Sequence, residues 1–406
     1  MRLGIFNYSD NSGGAARASY RIHQSLLDEG VTSSFYVSKK TLSNSSIKLN
    51  PYFIEKYLLS IRQKTSSLLL KTLISNSEDY RSLSLLPSMW PSFINKSDLD
   101  IVHLNWINAE MMSVSDIKKI LKPIVWTFHD MWPILGILHI SDINDISKAN
   151  NYKNKIYKNL FDLDKWTYER KKRNWINPFN IVTPSKWLED CVKNNELMKN
   201  WNITTINHPV DTDFWKPVSK AHAKKLLGIE PNMKIILYGA DGGTSSYNKG
   251  FDMLINALNK LEMSKTKTRL CIFGKDLEDI KISIPFTNFG KIEDDNKLRL
   301  IYSAADICVV PSRVESFCQV AVEAQSCGTP VICFSIGGLI DVVEHGKTGF
   351  LVQPFNIDNL SFYIKNYINE EYEHLNFNQE SRNRAINFFS KSSIAKKYIN
   401  LYESLK

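Results

Sequence analysis

Cysteine is scarce in this sequence: its 406 residues contain six, and no two of them form a C-x-x-C pair. Most lie in apolar or helical stretches, which favours reduced core thiols in a reducing compartment over a disulfide framework or a zinc site. The six are Cys191, Cys271, Cys308, Cys318, Cys327 and Cys333.

Long apolar runs are missing as well. No stretch approaches the ~20 residues that a helix needs to span a bilayer. The chain begins directly with a strand-like run, Leu3–Tyr8, without a small-residue cleavage site, so no signal peptide is expected. These absences predict a cytoplasmic protein that at most lies on the inner face of a membrane.

Acidic residues are too few to balance the basic ones, and the difference lies in one half of the chain. The formal charge is +9, from 51 Lys+Arg and 42 Asp+Glu. Residues 1–207 contain 27 basic and 19 acidic side chains, a net of +8, which leaves 24 and 23, a net of +1, in 208–406. This asymmetry fits contact with an anionic membrane, a lipid phosphate or nucleic acid, although an ordinary solvated surface is the simpler explanation.

The length indicates two domains, since single domains usually run ~50–200 residues. Short apolar runs alternate with helical patterns in both halves, which predicts two open α/β domains with parallel sheets. The predicted strands of the first half are Leu3–Tyr8, Ser34–Val37, Ile101–Leu104, Ile124–Phe128, Ile181–Thr183 and Thr204–Asn207. Those of the second half are Lys234–Tyr238, Arg269–Phe273, Thr287–Phe289, Ile307–Val310, Pro330–Phe334 and Gly349–Val352.

The join between the halves lies at Asn207-His208-Pro209, after which Pro217 precedes a new helix and strand. We therefore expect one domain over 1–207 and a second over 208–385. An amphipathic helix near the end of the chain is expected to return to the first domain, so that about 386–406 belong with it.

Two segments are less regular. Residues 51–90 have a helical pattern with leucines among basic residues, and 148–175 contain nine basic and three acidic residues with six interleaved aromatic ones. This composition suits a membrane interface or the stacking of bases. Core aromatics beneath a basic helix face explain it too.

Two motifs of the first half follow predicted strands. Gly13 and Gly14 open the first helix, where close backbone approach and a helix N-terminus favour an anion, and a tight structural turn is the alternative. The segment is not G-x-G-x-x-G, which disfavours nicotinamide binding. His129 ends a strand beside Asp130 and could bind a substrate hydroxyl or exchange a proton. His103 is a weaker second candidate, and either histidine could be structural.

In the second half, a glycine-rich segment that includes Gly239 follows the first strand, and Lys249 comes just before a helix. A lysine beside backbone N–H donors suits a diphosphate. The alternative is an exposed loop with a lysine there by chance.

The strongest motif runs from Pro311 to Val331 and contains two glutamates. Glu315 lies in a loop, and Glu323 lies about two turns into the helix that follows. The first amides of this helix, at Ser316, Phe317 and Cys318, can hold a phosphate. Each carboxylate can accept hydrogen bonds from sugar hydroxyls, and such a pair is also compatible with acid/base hydrolysis.

The order of these motifs across about 230–360 resembles that of the family 4 glycosyltransferases, nucleotide-sugar enzymes with two Rossmann-like domains in the GT-B arrangement. The matching motifs are Lys-Gly at 249–250, Phe-Gly-Lys at 273–275, Glu315 with Glu323, Cys-Gly-Thr-Pro-Val at 327–331, Gly-Gly at 337–338 and Thr-Gly-Phe-Leu-Val-Gln-Pro at 348–354. The resemblance is moderate over 1–30 and 123–140 and weak over 40–100 and 140–180.

This resemblance implies that Glu323 binds the ribose and Glu315 the donor sugar, while Lys249 neutralises the diphosphate and His129 faces the sugar. His129, Glu315 and Lys249 are therefore the candidate catalytic residues. The other implied donor contacts are Gly13 and Gly14 from the opposite domain, with Gly239, Gly274, Lys275, Lys291, Ile292, Ser316, Phe317 and Cys318. The first domain, with about 386–406, would hold the acceptor and 208–385 the donor.

The sequence departs from the family pattern at three places. Ala240 replaces an arginine that often follows the glycine of the first strand in the donor domain. Cys318 replaces the usual glycine after Ser-Phe. The segment Asp241–Asn248 before Lys249 is long.

The resemblance implies transfer of a hexose, with retention at the anomeric carbon and without a metal or cofactor, from a nucleotide-diphosphate sugar. The expected acceptor is a polysaccharide or lipid-linked oligosaccharide of a cell-surface glycan, and no nucleic-acid partner is expected. Two alternatives stay open: a nucleotide-sugar epimerase on the same fold, and a non-catalytic membrane- or nucleic-acid-binding protein with a vestigial sugar site.

Overall fold

The computed structural model describes residues 1–73, 80–141, 162–240, 246–261, 267–274 and 282–405. The chain divides into two compact units, Met1–Asn207 with Ile394–Lys406, and His208–Ser393. The sequence predicts a return to the first domain from about residue 386, but 386–393 remain in the second unit. The Val210 N–H donates to the Phe389 carbonyl over 2.7 Å, and the Phe389 ring packs edge-on against Phe317, which holds this segment there.

The first unit is built on one parallel sheet. Its strands are β1 (Arg2–Ser9), β2 (Thr32–Lys39), β3 (Ile47–Leu49), β4 (Ile101–Leu104), β5 (Ile124–Thr127), β6 (Asn180–Thr183) and β7 (Ile203–Thr205), in the order β3-β2-β1-β4-β5-β6-β7. Its helices are α1 (Gly13–Asp28), α2 (Ile54–Leu73), α3 (Trp90–Lys96), α4 (Val114–Ile117), α5 (Leu163–Asn174) and α6 (Lys186–Lys193), with a 3-10 turn at Trp132–Ile134.

The second unit repeats this architecture. Its strands are β8 (Lys234–Gly239), β9 (Thr268–Phe273), β10 (Phe286–Asn288), β11 (Ile307–Val310), β12 (Val331–Phe334) and β13 (Gly349–Val352), in the order β10-β9-β8-β11-β12-β13. Its helices are α7 (Lys220–Leu226), α8 (Phe251–Asn259), α9 (Asp295–Ala304), α10 (Gln319–Ser326), α11 (Leu339–Val342), α12 (Ile357–Ile368) and α13 (Phe377–Phe389), with a 3-10 turn at Tyr247–Lys249.

The strands form where the sequence has short apolar runs, because parallel strands covered on both faces need apolar side chains on both. In β11 and β12 every residue is buried. The predicted α/β class with two parallel sheets is confirmed, and each predicted strand is present. The short edge strand β3 is additional: only Ile47 of its three residues is buried, so it has no apolar run.

Both sheets contain a switch point, where the strand order reverses. It lies between β1 and β4 in the first unit and between β8 and β11 in the second. Ligands of open α/β sheets bind outside the carboxyl ends of the strands at such points. The loops after these four strands therefore position any ligand-binding side chains.

The last helix, α14 (Lys391–Glu403), packs on the first unit. Tyr398 and Tyr402 are completely buried in the core that includes Ile5 and Val37. Among the described residues, no helix combines the length and the apolar character required to cross a bilayer.

Candidate functional site

The loops after β8 and β11 meet at the switch point of the second unit through an ion pair. Lys249 Nζ lies 2.5 Å from Glu315 Oε1, and the same oxygen accepts a hydrogen bond from Ser312 Oγ at 3.0 Å. Glu315 is buried while the Lys249 side chain is partly exposed. Two of the three predicted catalytic residues are thus neighbours.

Arg313 holds the Lys249 segment against the loop that carries Glu315. Its guanidinium donates to both carboxylate oxygens of Asp252, at 2.9 and 2.6 Å, and stacks on the Tyr247 ring. Its backbone N–H also donates to the Asn248 carbonyl at 2.8 Å. The Arg313 guanidinium thus pairs with Asp252, and its backbone connects the two loops.

The predicted phosphate-binding amides lie at the start of α10. Cys318 is the N-cap residue of this helix and has φ 80°, a backbone conformation that favours glycine. The Phe317 ring is buried against His208 and Phe389, so only its backbone can contact a ligand. Burial raises the pKa of the Cys318 thiol well above its usual value, so this cysteine is a poor nucleophile at neutral pH.

The backbone of Gly337 and Gly338 packs directly against the Glu315 loop, a contact that the sequence did not indicate. The Gly338 N–H donates to the Glu315 carbonyl at 2.8 Å. A Cβ on Gly337 would lie 2.2 Å from the Glu315 carbonyl oxygen, and a Cβ on Gly338 would lie 2.3 Å from that of Ser316. These two glycines therefore form the surface against which the Glu315 loop packs.

Glu323 lies inside α10 and is almost fully buried. Its Oε2 accepts a hydrogen bond at 3.0 Å from the hydroxyl of Tyr302, which lies on α9. Burial, with the Glu323 charge added, raises the pKa of Tyr302 well above its usual value, so the tyrosine remains a donor. The sequence did not predict this partner.

Three of the implied donor contacts, Gly274, Lys291 and Ile292, follow β9 and β10 along the chain. The Gly274 N–H donates to the Gly290 carbonyl at 2.9 Å, which brings Gly274 beside Lys291 and Ile292. Lys291 is exposed and pairs with Glu293 at 2.7 Å. Gly239 ends β8, whereas Lys275 and the residues 241–245 before Lys249 lie outside the described residues.

In the first unit, His129 belongs to a polar cluster at the carboxyl ends of β1, β4 and β5. Its Nε2 lies 2.9 Å from Asn105 Oδ1 and 3.2 Å from Ser19 Oγ. Burial lowers the pKa of His129 to about 4, and the neighbouring Asp130 offsets this only in part. The imidazole is therefore neutral at pH 7 and suited to hydrogen bonding. Gly13 and Gly14 begin α1, and a Cβ on Gly14 would meet no atom within 4 Å.

Asp130 forms a second, partly buried network that the sequence did not reveal. Its Oδ2 lies 2.6 Å from His139 Nδ1 and accepts a hydrogen bond from Trp106 Nε1 at 2.8 Å. Burial opposes ionisation of Asp130, but His139 and the N–H groups of Trp132 and Trp106 outweigh it and lower the pKa of the carboxyl. This network fixes the segment that carries His129.

His103, the weaker candidate, is structural. It is completely buried, with Nε2 at 2.7 Å from Thr127 Oγ1 and Nδ1 at 2.7 Å from the Tyr402 hydroxyl. Burial lowers its pKa to about 3. Nδ1 holds α14 on the sheet through Tyr402, and Nε2 bonds Thr127 of β5, which in turn bonds the Tyr398 hydroxyl of α14.

The basic segment 148–175 is described only from residue 162, and two of its cations there are structural. Lys171 is 0% exposed, donates from Nζ to the carbonyls of Trp132, Leu135 and Gly136, and lies 3.6 Å from the Trp132 ring centroid. Burial lowers its pKa well below the usual value. Arg170 donates to the carbonyls of residues 83–85. Lys171 thus belongs to the interior and is not part of a membrane-facing surface.

A metal site is not evident in the part of the chain that the structure describes, where no group of three or more His, Cys, Asp or Glu side chains could hold an ion. Independence from metals stays a prediction.

The fold and the site define a protein with two Rossmann-like units, each with polar and charged side chains at its switch point. Two family models match this chain: Glycosyltransferase Family 4 over residues 12–214, and Glycosyl transferases group 1 over residues 223–385. The first covers half of the chain, and the chain therefore belongs to glycosyltransferase family 4. This confirms the family that the motifs indicated.

Curated relatives match part of the chain. The uncharacterized glycosyltransferase MJ1607 of Methanocaldococcus jannaschii is 28% identical over 193 residues, which are 45% of this chain and 48% of that protein. The D-inositol 3-phosphate glycosyltransferase of Thermobispora bispora is 32% identical over 167 residues, 37% of this chain and 38% of that protein. The chain thus spans less than half of the length of these relatives.

Solved structures show the same fold over nearly the whole chain. Sucrose-phosphate synthase from Thermosynechococcus elongatus has a TM-score of 0.71 at 18% identity and covers 100% of this chain and 98% of its own. Anabaena Alr3699/HepE, solved with UDP and glucose, has a TM-score of 0.64 at 16% identity and covers 100% of both chains. WaaG, a glycosyltransferase involved in lipopolysaccharide biosynthesis, has a TM-score of 0.65 at 14% identity, with 98% and 99% covered. The GT-B fold class is confirmed.

Proposed function

We propose that the protein is a retaining glycosyltransferase that moves a hexose from a nucleotide-diphosphate sugar to a polysaccharide or lipid-linked oligosaccharide. The product would belong to a cell-surface glycan such as capsule, O-antigen or exopolysaccharide. The observation that carries the proposal is the Lys249–Glu315 pair at the switch point of the second unit, beside the N-terminus of α10. Family membership supports it, as does the UDP and glucose bound by Anabaena Alr3699/HepE.

Cleavage of the donor requires stabilisation of negative charge on its leaving group. As the bond between the sugar and the diphosphate breaks, negative charge grows on the departing phosphate. Lys249 and the first amides of α10 are placed to stabilise that charge, which lowers the barrier because they are oriented before reaction. Glu315 holds the lysine in place and has a carboxylate that can accept hydrogen bonds from sugar hydroxyls.

Retention then needs no protein nucleophile. The leaving diphosphate can take the proton of the acceptor hydroxyl on the face from which it departs, provided that the hydroxyl is held close. We assign no metal to this step, because lysine and backbone N–H groups supply the positive potential.

We place the acceptor on the first unit, at its own switch point. Asn105 Nδ2 is buried there and has no hydrogen-bond partner among the described residues, so it can donate to a bound hydroxyl. The partly exposed Tyr8 and Trp106 rings lie 6.0 Å apart beside it and provide apolar surface for a sugar ring. The neutral His129 adds a hydrogen-bonding group.

A thermal-shift panel of UDP-, GDP- and ADP-sugars identifies the donor, because a ligand that binds only the folded state raises Tm. Transfer to candidate glycan acceptors is then followed by NMR, which reports the anomeric configuration of the product. Lys249→Ala and Glu323→Ala should each weaken nucleotide-sugar binding by roughly 10- to 100-fold, since each removes a charged hydrogen-bonding group. Lys365→Ala and Glu371→Ala, at exposed positions of the same unit, are matched controls.

Near-normal turnover in both Lys249→Ala and Glu323→Ala would contradict the site assignment. Conversion of the sugar nucleotide without an acceptor would instead indicate an epimerase. Salt-sensitive RNA binding without affinity for any nucleotide sugar would support the non-catalytic alternative.

A further inference from the structure

Helix α2 turns two of its charged side chains, Glu55 and Arg62, toward the protein. Glu55 and Arg62 are each only 3% exposed and form an ion pair with each other. Arg62 Nε also donates to the Glu110 carbonyl at 2.9 Å, and Ser66 Oγ donates to the Glu110 carboxylate at 2.8 Å. The Met89 N–H donates to Glu55 Oε2 at 3.0 Å. Polar bonds therefore hold this face of the helix on the first unit.

The opposite face of α2 is apolar and exposed. Ile54, Tyr57, Ile61 and Leu68 are 55%, 56%, 56% and 64% exposed. Their spacing of three, four and seven residues places them in one stripe along the helix. Phe53, just before the helix, is also exposed and lies 5.3 Å from the Tyr57 ring. A contiguous apolar stripe of this kind marks an interaction surface, whereas single exposed apolar residues are normal.

Lysines border the stripe. Lys64 and Lys71 each follow a stripe residue by three positions, so they lie along one side of it, and Lys56 lies farther round the helix. All three are exposed, whereas Glu55, the only acidic residue of α2, is buried in the ion pair. The outward face of α2 thus combines apolar side chains with positive charge alone.

We propose that this outward face of α2 docks the protein on an anionic lipid bilayer, with the helix lying in the plane of the membrane surface. Apolar side chains enter the boundary between headgroups and acyl chains, and lysines beside them contact anionic headgroups. The aromatic pair at the start of the helix suits the same depth, because aromatic rings are enriched at membrane interfaces. The proposal does not depend on the glycosyl-transfer activity.

A second copy of the chain is a less suitable partner for the outward face of α2. A two-fold interface brings the same patch of both copies together. The stripe would then face a second stripe whose only exposed charges are lysines, and like charges across an interface cost affinity. An anionic bilayer supplies the complementary charge.

Sedimentation with vesicles of phosphatidylcholine containing about 30 mol% phosphatidylglycerol tests the proposal, with pure phosphatidylcholine vesicles for comparison. The full-length wild type should bind the anionic vesicles and lose binding as salt rises. Lys64→Gln with Lys71→Gln should weaken binding about 25-fold, at about fivefold for each lysine near the surface. Ile61→Ser with Leu68→Ser should weaken it at least about tenfold, because less apolar area is buried.

Two matched double variants at other positions of the first unit serve as controls. Lys96→Gln with Lys199→Gln removes two exposed lysines, and Leu121→Ser with Ile176→Ser removes two exposed apolar residues. Neither pair should change vesicle binding by more than about twofold if binding depends on α2. Circular dichroism checks that all variants are folded.

Equal vesicle binding by wild type and Ile61→Ser/Leu68→Ser would overturn the proposal. So would concentration-dependent dimers that the same variant abolishes in a protein that ignores vesicles, since the stripe would then be an interface between copies.

Discussion

Lys249 Nζ lies 2.5 Å from Glu315 Oε1, which joins the loop after β8 to the loop after β11. The ion pair connects the residue expected to neutralise a diphosphate with the one expected to contact the sugar. Part of the lysine charge is therefore already balanced before a donor binds. The two residues should respond differently to substitution.

Glu315→Gln should separate binding from turnover. The amide keeps the shape of the side chain and a bond to Ser312, but it releases Lys249 from the ion pair. We expect the Kd for the nucleoside diphosphate to be unchanged or lower, and turnover to fall by roughly 100-fold because the sugar loses a charged partner. Calorimetry with the nucleotide and a transfer assay measure the two effects. Equal loss of both would mean that Glu315 only supports Lys249.

Cys318→Gly should stabilise the protein. Cys318 has φ 80°, which glycine adopts without steric cost and other residues do not. We expect the free energy of unfolding to rise by about 0.5–1 kcal/mol, since relief of strain exceeds the added entropy of the unfolded chain. Urea titration measures it. Cys318→Ala keeps the strain and removes the thiol, so a gain in that variant as well would assign the effect to the side chain.

The positions of the strands other than β3 were predictable because parallel strands covered on both faces require apolar runs. Glu315 and Lys249 could also be located in loops that follow strands, where ligands of such sheets bind, and Glu323 in the helix after the Glu315 loop. The ion pair between Lys249 and Glu315 could not be predicted, because it depends on the path of residues 246–252 and on the hydrogen bonds from Arg313 to Asp252.

The burial of charged residues in the first unit was harder to predict from the sequence. The sequence predicts a helical pattern in 51–90 with leucines among basic residues, but it does not show which face is buried: α2 buries Glu55 and Arg62 and exposes Leu68. The reason is tertiary: the buried face meets Glu110 and backbone groups near residues 84–89, which need polar partners. The burial of Lys171 could not be predicted for a similar reason, because its three carbonyl partners come from residues 132–136.

Lys171→Ala should destabilise the first unit strongly. It removes the donor that Lys171 supplies to the carbonyls of Trp132, Leu135 and Gly136, and it empties the space beside the Trp132 ring. We expect a loss of about 2–4 kcal/mol in the free energy of unfolding. The exposed neighbour is the control: Lys172→Ala should change it by less than about 0.5 kcal/mol. Similar values for both would show that Lys171 is not a structural donor. Membrane contact by this segment is better tested at Lys172 and Arg173.

The first unit should lose stability in mild acid because of three histidines. Burial lowers the pKa of His23 to about 4, of His103 to about 3 and of His129 to about 4. Below the unfolded value of about 6.5, the unfolded chain binds more protons than the folded one, so stability falls as pH falls. The contribution of these histidines to the free energy of unfolding is fully present above about pH 6.5. It is lost toward pH 4, at up to about 1.4 kcal/mol per pH unit for each histidine.

Tryptophan fluorescence is the appropriate probe for this loss, because every tryptophan except Trp215 lies in the first unit. Urea titrations at pH 7.5, 6.0 and 5.0 give the slope of stability against pH. His23 is bonded to Ser33 and Ser46 through its two ring nitrogens, and His23→Gln should reduce the slope by up to one proton while retaining polar contacts. His374→Gln, at an exposed position of the second unit, is the matched control. An unchanged slope in His23→Gln would mean that this histidine is protonated in the folded state and that carboxylates dominate the acid response.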